Sequence, residues 1–538
     1  MRTGSKKNTF LMGTLILGAA GVIIKILGAV FRIPLGHFIG AEGMGYYQTA
    51  YPVYALFLTL ATAGFPTAIA KLVSEQAALG NHKGANEIFK ITHIMLFLTG
   101  LISFLVLFFG AEYIVTNVQH NPNAVTAMRA IAPALLIVPS MSAYRGYYQG
   151  YQQMSRIAIS QIVEQMFRVF LGLTLAYILM KSMGAKYGAA GGISGATIGA
   201  LCSFLFLALI YFKDTKQRKE QIKNSVGYVK QSTSSIIKKI IWVVVPISIG
   251  ACVMPLVNVV DTVIVISRLE AAGYTWMSAN SMLGQLTGMA MPIIVMPMIF
   301  TTAIGMSLVP AISESYTLKK YDEARRNAKI AFKITLLLVL PCAFGLASLA
   351  SPLMELLYPK QPSNVVGLML FALAPACVFL GLLYTFNGIL QGMGKPMVPV
   401  YALLCGIFVK VVVSYTLTAM PQINIIGSAL GTVLSYMVAA CIEFVYIKKA
   451  LDLKLNIMQF FIKPLITVMI MFVCVRLSYA GLNMIVTGKI TTLISVMIGG
   501  IVYVAVLLLI GGITKEEILA MPKGPKVYSK LQKIKLVR

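Results

Sequence analysis

The chain has 538 residues, of which 58% are hydrophobic and only 12% are charged, and its mean hydropathy is +0.82. This composition excludes a set of soluble domains and is typical of a protein with many membrane-spanning helices. The formal net charge of +28 would suit a nucleic-acid partner, but the distribution of the charge along the chain favours another explanation.

Apolar runs of about 20 residues predict fourteen transmembrane helices. Their centres lie near residues 20, 57, 100, 137, 169, 200, 253, 296, 340, 378, 408, 437, 471 and 501. Lysines and arginines are concentrated in alternate connecting segments, above all at 213–239, 319–333 and 515–538. Under the positive-inside rule this pattern puts both termini in the cytoplasm. The positive charge therefore indicates a multi-pass membrane protein, and no nucleic-acid partner is expected.

The first predicted helix, at residues 10–32, carries two cations inside an apolar run. Six small, polar or basic residues form one stripe along it: Thr14, Gly18, Gly21, Lys25, Gly28 and Arg32. A lysine at the bilayer centre costs roughly 2.5–3.5 kcal/mol on insertion scales, so Lys25 should face protein or water. Helix 1 has no acidic residue, and predicted helix 2 has none before Glu75. The stripe therefore predicts a cavity wall that meets an anion, most naturally a phosphate or diphosphate.

Four tyrosines cluster at the start of the second predicted helix, at Tyr46, Tyr47, Tyr51 and Tyr54. An aromatic belt at the membrane interface is the favoured interpretation, because such belts are common at helix ends. Stacking of the rings on a sugar is the less favoured alternative.

Two further basic residues lie inside predicted spans, Arg168 in helix 5 and Lys410 in helix 11. Glu164 precedes Arg168 by one turn and could neutralise it, and Asp261 in helix 7 could pair with Lys410. Both cations could instead bind the anion, and these alternatives stay open. We expect the cavity to be supported by the polar residues Thr14, Gln161, Glu164, Asn258 and Asp261, with Arg268 on the same helix face as the last two.

The polar connection at 213–239 separates two halves that share a repeated pattern. Matching residues are Ser74 and Ser313, Gly146 and Gly388, Gly150 and Gly392, Arg168 and Lys410, Gly195 and Gly427, and Gly199 and Gly431. Six helices per copy is an even number, so the repeat is parallel. We predict an all-α polytopic membrane fold with an N-terminal lobe at 1–239, a C-terminal lobe at 240–450, and two extra helices with a basic tail at 451–538.

No catalytic set is recognisable. The four histidines are scattered, and the seven cysteines lie in apolar runs without paired spacing. The predicted outer loops are short and carry isolated acids, which does not suit a membrane glycosyltransferase or polymerase. We therefore expect no enzyme activity, no metal site and no cofactor.

Several segments are informative in combination. They are GTLILGAAGVIIKILGAVFRIPLGHFIG, LFLTLATAGFPTAIAKLVSE, RGYYQGYQQM with SQIVEQMFRV, and VNVVDTVIVISRL with SLVPAISES. Together they resemble the SpoVB and YtgP branch of the polysaccharide-flippase family, in the superfamily of the MurJ lipid II flippases and the multidrug (MATE) exporters. The resemblance implies two six-helix lobes in a V shape around a cationic cavity for the diphosphate-sugar head of an undecaprenyl-linked precursor. It also implies a groove for the lipid tail on helices 13 and 14.

The resemblance also implies roles for individual residues. Lys25 and Arg32 match the family's helix 1 cations, and Arg268 lies near its basic position by helix 8. MurJ proteins of the Gram-negative type carry an arginine in helix 2, whereas this helix 2 has no basic residue before Lys71. Arg168 and Lys410 are the candidates to supply that charge.

The combined expectation is a flippase of the bacterial cytoplasmic membrane. It would move an undecaprenyl-diphosphate-linked cell-wall precursor, lipid II in particular, from the inner to the outer leaflet by alternating access. Another lipid-linked oligosaccharide, of exopolysaccharide or spore cortex, is the first alternative. A cation-coupled drug exporter is a second alternative, but it would need acidic residues in the cavity. A scaffold role is a third, and it would leave the helix 1 cations unexplained. We expect a monomer among membrane lipids, with coupling to the membrane potential or a monovalent cation, and association with cell-wall synthesis machinery stays open.

Overall fold

The computed structural model of the protein describes residues 3–226, 232–484 and 488–512, with side chains at all of these positions except 3–19, 22, 25, 29, 246, 250 and 253. No strand occurs among these residues, and most of them are helical, which confirms the predicted all-α fold. The chain divides into two compact units, Met1–Met289 and Ala290–Arg538. The predicted lobe boundary at 239 stays a prediction, and the predicted basic tail lies outside the described residues.

Unit 1 consists of long helices and a few short ones. They are α1 (Thr3–Thr62), α2 (Phe65–Ala78), α3 (His82–Tyr113), α4 (Val125–Ile131), α5 (Ala134–Gly150), α6 (Met154–Met183), α7 (Ala185–Lys213), α8 (Thr215–Lys223), α9 (Thr233–Ala271) and α10 (Trp276–Leu283). The short ones are α4, α8 and α10. A π-helical stretch, Gly284–Ala290, follows α10. Side-chain caps fix where helices begin: Ser232 accepts a hydrogen bond from the Ser235 amide at the start of α9, and Thr275 accepts one from the Ser278 amide at the start of α10.

Unit 2 contains the remaining helices. They are α11 (Met291–Val295), α12 (Met298–Thr317), α13 (Tyr321–Ser348), α14 (Ala350–Leu357), α15 (Ser363–Gly392), α16 (Met397–Leu417), α17 (Ile426–Ala450), α18 (Lys463–Asn483) and α19 (Lys489–Leu509). The last two pack against each other and against α13, where the Tyr503 hydroxyl donates to the Leu337 carbonyl at 2.7 Å. They correspond to the two extra helices of the prediction.

Thirteen segments of the described chain are long and apolar enough to cross a membrane. Large apolar side chains such as Phe109, Phe170 and Phe408 lie exposed on the surfaces of these helices, as expected where the surroundings are lipid. The first segment, Ile26–Ala78, contains a break at Gly40, where φ is 67° and ψ is −173°. The exact number of fourteen crossings stays a prediction, because it depends on whether the two arms of that segment are counted separately.

Glycines of the predicted repeat make equivalent close contacts in each unit. In unit 1, a Cβ at Gly150 of α5 would lie 3.1 Å from the Ala70 carbonyl oxygen of α2. In unit 2, a Cβ at Gly392 of α15 would lie 2.9 Å from the Val309 carbonyl oxygen of α12. Because small residues let helix backbones approach this closely, the same packing is built twice from the same repeated positions.

A second pair of glycines repeats in the same way and bears on the site. A Cβ at Gly199 of α7 would lie 2.4 Å from the Glu164 carbonyl oxygen and 3.1 Å from the Arg168 amide nitrogen, both on α6. A Cβ at Gly431 of α17 would lie 3.2 Å from the Lys410 carbonyl oxygen on α16. In the second contact Lys410 and Ser414 take the places that Glu164 and Arg168 have in the first. The packing therefore repeats, but the predicted match of Arg168 with Lys410 was wrong by one helical turn.

Candidate functional site

The reversal of α1 brings its two arms together. Arg32, in the first arm, donates from Nη1 to Oε1 of Gln48 in the second arm at 3.2 Å. Sixteen residues of uninterrupted helix would span about 24 Å, so this contact requires the chain to fold back between them. Gly40 lies between the two residues, and its positive φ is a conformation that glycine adopts without steric cost.

Two arginines meet on the tyrosines of the second arm. Tyr47 and Tyr51, one turn apart, stack with ring centroids 5.8 Å apart and planes at 13°. The Arg32 guanidinium carbon lies 5.7 Å from the Tyr47 ring centroid and 6.0 Å from that of Tyr51. The Arg168 guanidinium lies 5.5 Å from the Tyr51 ring centroid, and its Nη2 donates to the Tyr47 hydroxyl at 3.3 Å. We call Arg32, Tyr47, Tyr51 and Arg168 the arginine–tyrosine cluster.

The cluster concentrates positive charge. Neither Arg32 nor Arg168 forms an ion pair with a carboxylate in the part of the chain that the structure describes. Two guanidinium groups that share one ring repel each other, and the negative ring faces offset this only in part, by about 0.5–2 kcal/mol per contact. Such a pair is stabilised further by water or by an anion, and guanidinium groups match the geometry of phosphate oxygens.

Glu164, which could have neutralised Arg168 in one of the two alternatives, forms an ion pair with Arg145 instead. Its Oε2 accepts from Nη2 of Arg145 at 2.7 Å, and Arg145 also donates to the hydroxyls of Ser160 and Ser203, each at 3.1 Å. The pair joins α5 to α6 and α7 and is largely buried, with 17% of the Arg145 side chain and 27% of the Glu164 side chain exposed. The alternative that Glu164 pairs with Arg168 was therefore wrong.

The other predicted site residues fall in several places. Gln161 lies on α6 two turns before Arg168, while Asn258, Asp261 and Arg268 lie on α9, outside the contacts that define the cluster. Lys410 lies on α16 in unit 2, and its two alternatives, pairing with Asp261 or binding the anion, both stay open. Thr14 and Lys25 lie outside the described residues with respect to their side chains. Of the predicted head-group residues, the structure brings Arg32 and Arg168 together.

The tyrosines were misinterpreted at the sequence level. Tyr46 and Tyr47 are almost fully buried, and Tyr47 and Tyr51 face the two arginines, so the aromatic-belt interpretation was wrong. Their spacing of four residues, which matches the spacing of the helix 1 stripe, was the available signal. The second arm of α1 also includes Glu42, before the expected start of helix 2, and its carboxylate accepts from the Tyr46 hydroxyl at 2.7 Å.

A buried set of polar side chains lies beside the cluster. We call Thr49, Gln119, Asn121 and Asn280, all fully buried, the polar seam. Asn121 Nδ2 donates to Thr49 Oγ1 at 2.8 Å and to Asn280 Oδ1 at 2.7 Å, which ties α10 to the second arm of α1. Gln48 donates from Nε2 to the Thr287 carbonyl oxygen at 2.8 Å. The same two turns of α1 thus carry the tyrosines and hold the segment that follows α9.

Comparison with known proteins agrees with this architecture. The sequence matches the family described as "Polysaccharide biosynthesis protein" over residues 10–316 and the family described as "MatE" over residues 246–416. The lipid II flippase MurJ of Bacillus subtilis (strain 168) is 29% identical over 455 residues, which cover 82% of each chain. The stage V sporulation protein B of the same organism is 30% identical over 462 residues, covering 84% of this chain and 86% of that protein.

A solved structure shares the fold. The lipid II flippase MurJ in an inward closed conformation superposes with a TM-score of 0.70 at 15% identity, covering 92% of this chain and 99% of that chain. Relatives that are named as flippases are consistent with the expectation that the chain is not an enzyme. The chain belongs to the polysaccharide biosynthesis protein family, in the MurJ- and SpoVB-like branch of the MOP superfamily of membrane transporters.

Proposed function

We propose that the protein is a flippase that moves an undecaprenyl-diphosphate-linked cell-wall precursor, specifically lipid II, from the inner to the outer leaflet of the bacterial cytoplasmic membrane. The observation that carries the proposal is the arginine–tyrosine cluster, in which Arg32 and Arg168 converge on one ring without a carboxylate partner among the described residues. The similarity to the MurJ flippase of B. subtilis supports the same substrate class.

In this mechanism the diphosphate enters between the two guanidinium groups from the cytoplasmic side. Each guanidinium offers parallel N–H donors to phosphate oxygens, and binding removes the repulsion between the two cations. Lys25, predicted on the same stripe as Arg32, would add a third positive charge. The lipid tail stays in the bilayer while the head group crosses, and the two halves of the repeat alternate in opening to either side.

The membrane potential would give this cycle a direction. Moving one charge across the full field is worth about 2.3 kcal/mol per 100 mV, so an inside-negative potential drives an anionic head group outward. It also draws the emptied, positively charged site back towards the cytoplasm. Coupling to a monovalent cation is the alternative source of energy. We propose that the protein acts as a monomer and without a cofactor.

A transport assay with purified components tests the proposal. The protein is reconstituted into liposomes that contain fluorescent lipid II, and movement between leaflets is followed by a membrane-impermeant quencher. We expect quencher-accessible lipid II to increase with the unmodified protein and with Arg129→Ala, which removes an exposed arginine paired with Glu112 far along the chain from the cluster. Arg32→Ala and Lys25→Ala should lose transport, and normal transport in both would contradict the proposal.

The chemical identity of the sugar is a separate question. Similarity to a sporulation protein gives weight to a spore-cortex precursor as a second candidate. Depletion of the protein in growing and in sporulating cells, followed by mass spectrometry of lipid-linked precursors on the inner leaflet, separates the two. Accumulation of lipid II during growth supports the first candidate, and accumulation only during sporulation supports the second.

A drug exporter is less well supported. The match to the MatE family covers residues 246–416, but cation export coupled to protons or sodium calls for carboxylates in the cavity. The carboxylate nearest to the cluster along α6 is that of Glu164, and it already forms an ion pair with Arg145.

A further inference from the structure

A cavity separate from the arginine–tyrosine cluster lies between α2, α3 and α9 of unit 1. Its volume is about 470 Å³, and it shares no residue with the cluster. The polar part of its wall consists of Lys71, Glu75, Gln76, Lys238 and Lys239, with Trp242 beside them. Apolar side chains such as Ile88 and Ile236 form the rest of the wall.

The charge of the wall selects for an anion. Three lysines face one glutamate, and the three lysines lie at exposed positions on two different helices, Lys71 on α2 and the other two on α9. Ammonium groups from separate helices around one cavity attract a phosphate, since lysine is an effective point-charge partner for phosphate. Glu75 and Gln76 add acceptors suited to hydroxyl groups beside such a phosphate.

The surroundings of Trp242 indicate that the anion belongs to a lipid. Trp242 is 83% exposed, and its neighbours on α9, Ile241 and Val245, are also exposed, at 45% and 47%. An exposed indole among exposed aliphatic side chains, one turn beyond two lysines, is the arrangement found at the level of lipid head groups. The cavity thus opens beside the acyl chains and holds its positive charges at the polar boundary.

We propose that this cavity binds the head group of an anionic glycerophospholipid of the phosphatidylglycerol type. The lysines contact the phosphate, Glu75 and Gln76 accept from the glycerol hydroxyls, and Trp242 packs against the ester region. A lipid held there would join the start of α9 to α2 and α3. The site is distinct from the flippase site and does not depend on the identity of the transported precursor.

The chain offers a built-in reporter, because it contains only two tryptophans. Trp276→Phe keeps the aromatic ring that stacks on Tyr46 and leaves Trp242 as the single fluorophore. The full-length protein is placed in bilayers of phosphatidylcholine and phosphatidylglycerol, with bromine on the acyl chains of one lipid or the other. Bromine quenches a tryptophan on contact, so the two series give the relative binding constant of the lipids at Trp242.

We expect phosphatidylglycerol to be preferred over phosphatidylcholine by at least about threefold, a modest share of what lysines contribute at anionic surfaces. The variant with Lys71→Gln, Lys238→Gln and Lys239→Gln should lose the preference, while the same positions changed to arginine should keep it. A matched control changes the exposed lysines Lys319, Lys320 and Lys448 to glutamine and should leave the preference unchanged.

Three results would overturn the proposal. One is equal quenching by the two lipids in the Trp276→Phe protein. Another is an unchanged preference in the glutamine variant, whose folding is checked by its unchanged quenching in phosphatidylcholine alone. The third is an equal loss of the preference in the control with Lys319, Lys320 and Lys448 changed to glutamine, which would assign the preference to the overall charge of the protein instead of the cavity.

Discussion

Arg145 and Arg168 both lie near Glu164, but of the two only Arg145 forms an ion pair with it in the part of the chain that the structure describes. Arg145 takes the carboxylate of Glu164 and two serine hydroxyls, so its charge is matched within the protein. Arg168, one turn after Glu164 on α6, is held by the Tyr47 hydroxyl and by ring faces. The first arrangement fastens three helices together, whereas the second leaves a positive charge in place without neutralising it.

Because Arg145 binds the Glu164 carboxylate, that carboxylate does not neutralise the positive charge of Arg168. If Arg145 were absent, Glu164 would be a helical turn from Arg168 and free to pair with it. The positive character of the arginine–tyrosine cluster therefore depends on a pair outside it.

The largest effect is expected from Arg168→Ala. Truncating one partner of a desolvated charge pair costs about 2–5 kcal/mol, so transport of lipid II at low concentration should fall about 30-fold or more. Arg168→Lys should retain part of the activity, because it keeps the charge but loses the planar fork. The liposome assay measures both variants, with Arg129→Ala as the control. Full activity in Arg168→Ala would show that the cluster is not the head-group site.

A smaller loss of transport, about tenfold, is expected from Arg145→Ala, as Glu164 becomes free to neutralise Arg168. Breaking this largely buried pair should also lower the free energy of unfolding by about 3 kcal/mol. Adding Glu164→Gln should restore transport, because the freed carboxylate is gone. A double variant as inactive as Arg145→Ala would mean that Arg145 acts only through the fold.

Gly199→Ala tests the backbone contact of α7 with Glu164 and Arg168 on α6. The added Cβ would lie 2.4 Å from the Glu164 carbonyl oxygen, so α7 must move away from α6, with a loss of about 1–3 kcal/mol in stability. Thermal unfolding in detergent should show a lower Tm. Gly500→Ala on α19, whose Cβ would meet nothing within 4 Å, serves as the control and should be neutral or slightly stabilising. Equal Tm values for the two variants would argue against tight α6–α7 packing.

The smallest effect is expected at Tyr51, which contacts both arginines through its ring face. Tyr51→Phe keeps that face but removes the hydroxyl that contacts Arg168, so it should have a smaller effect than Tyr51→Leu. Tyr51→Leu also loses two cation–π contacts of about 0.5–1 kcal/mol each. We expect Tyr51→Leu to raise the apparent KM for lipid II about fivefold, the change that corresponds to about 1 kcal/mol. Equal effects of the two variants would assign the role to the hydroxyl, which both substitutions remove.

The parts of the structure that follow from periodicity could be predicted from the sequence. The repeat was visible in glycines such as Gly150 and Gly392, because close helix packing restricts these positions to the smallest residue wherever the contact recurs. The positive stripe of helix 1 stays a prediction, but the expectation that Arg32 lacks an acidic partner agrees with the ion pairs of the described residues, none of which includes Arg32.

Properties that depend on neighbouring helices could not be predicted in this way. Tyr47 and Tyr51 fit a membrane-facing belt equally well until the reversal at Gly40 turns them towards Arg32. Local spacing offered Arg168 as the partner of Glu164, whereas α5 continues to Gly150 and its residue Arg145 forms the ion pair with Glu164. Partner choice among three nearby helices is a tertiary property, and local spacing favoured the wrong arginine.

Gln48 links the arginine–tyrosine cluster to the π-helical stretch Gly284–Ala290 through two hydrogen bonds. Its side-chain oxygen accepts from Arg32, and its side-chain nitrogen donates to the Thr287 carbonyl, next to the polar seam. An anion that binds Arg32 would remove the hydrogen bond from Arg32 to the Gln48 side chain. The hydrogen bond from Gln48 to the Thr287 carbonyl would then remain without it. Binding of an anion at the arginine–tyrosine cluster would thereby alter the contacts of the π-helical stretch Gly284–Ala290 through the side chain of Gln48.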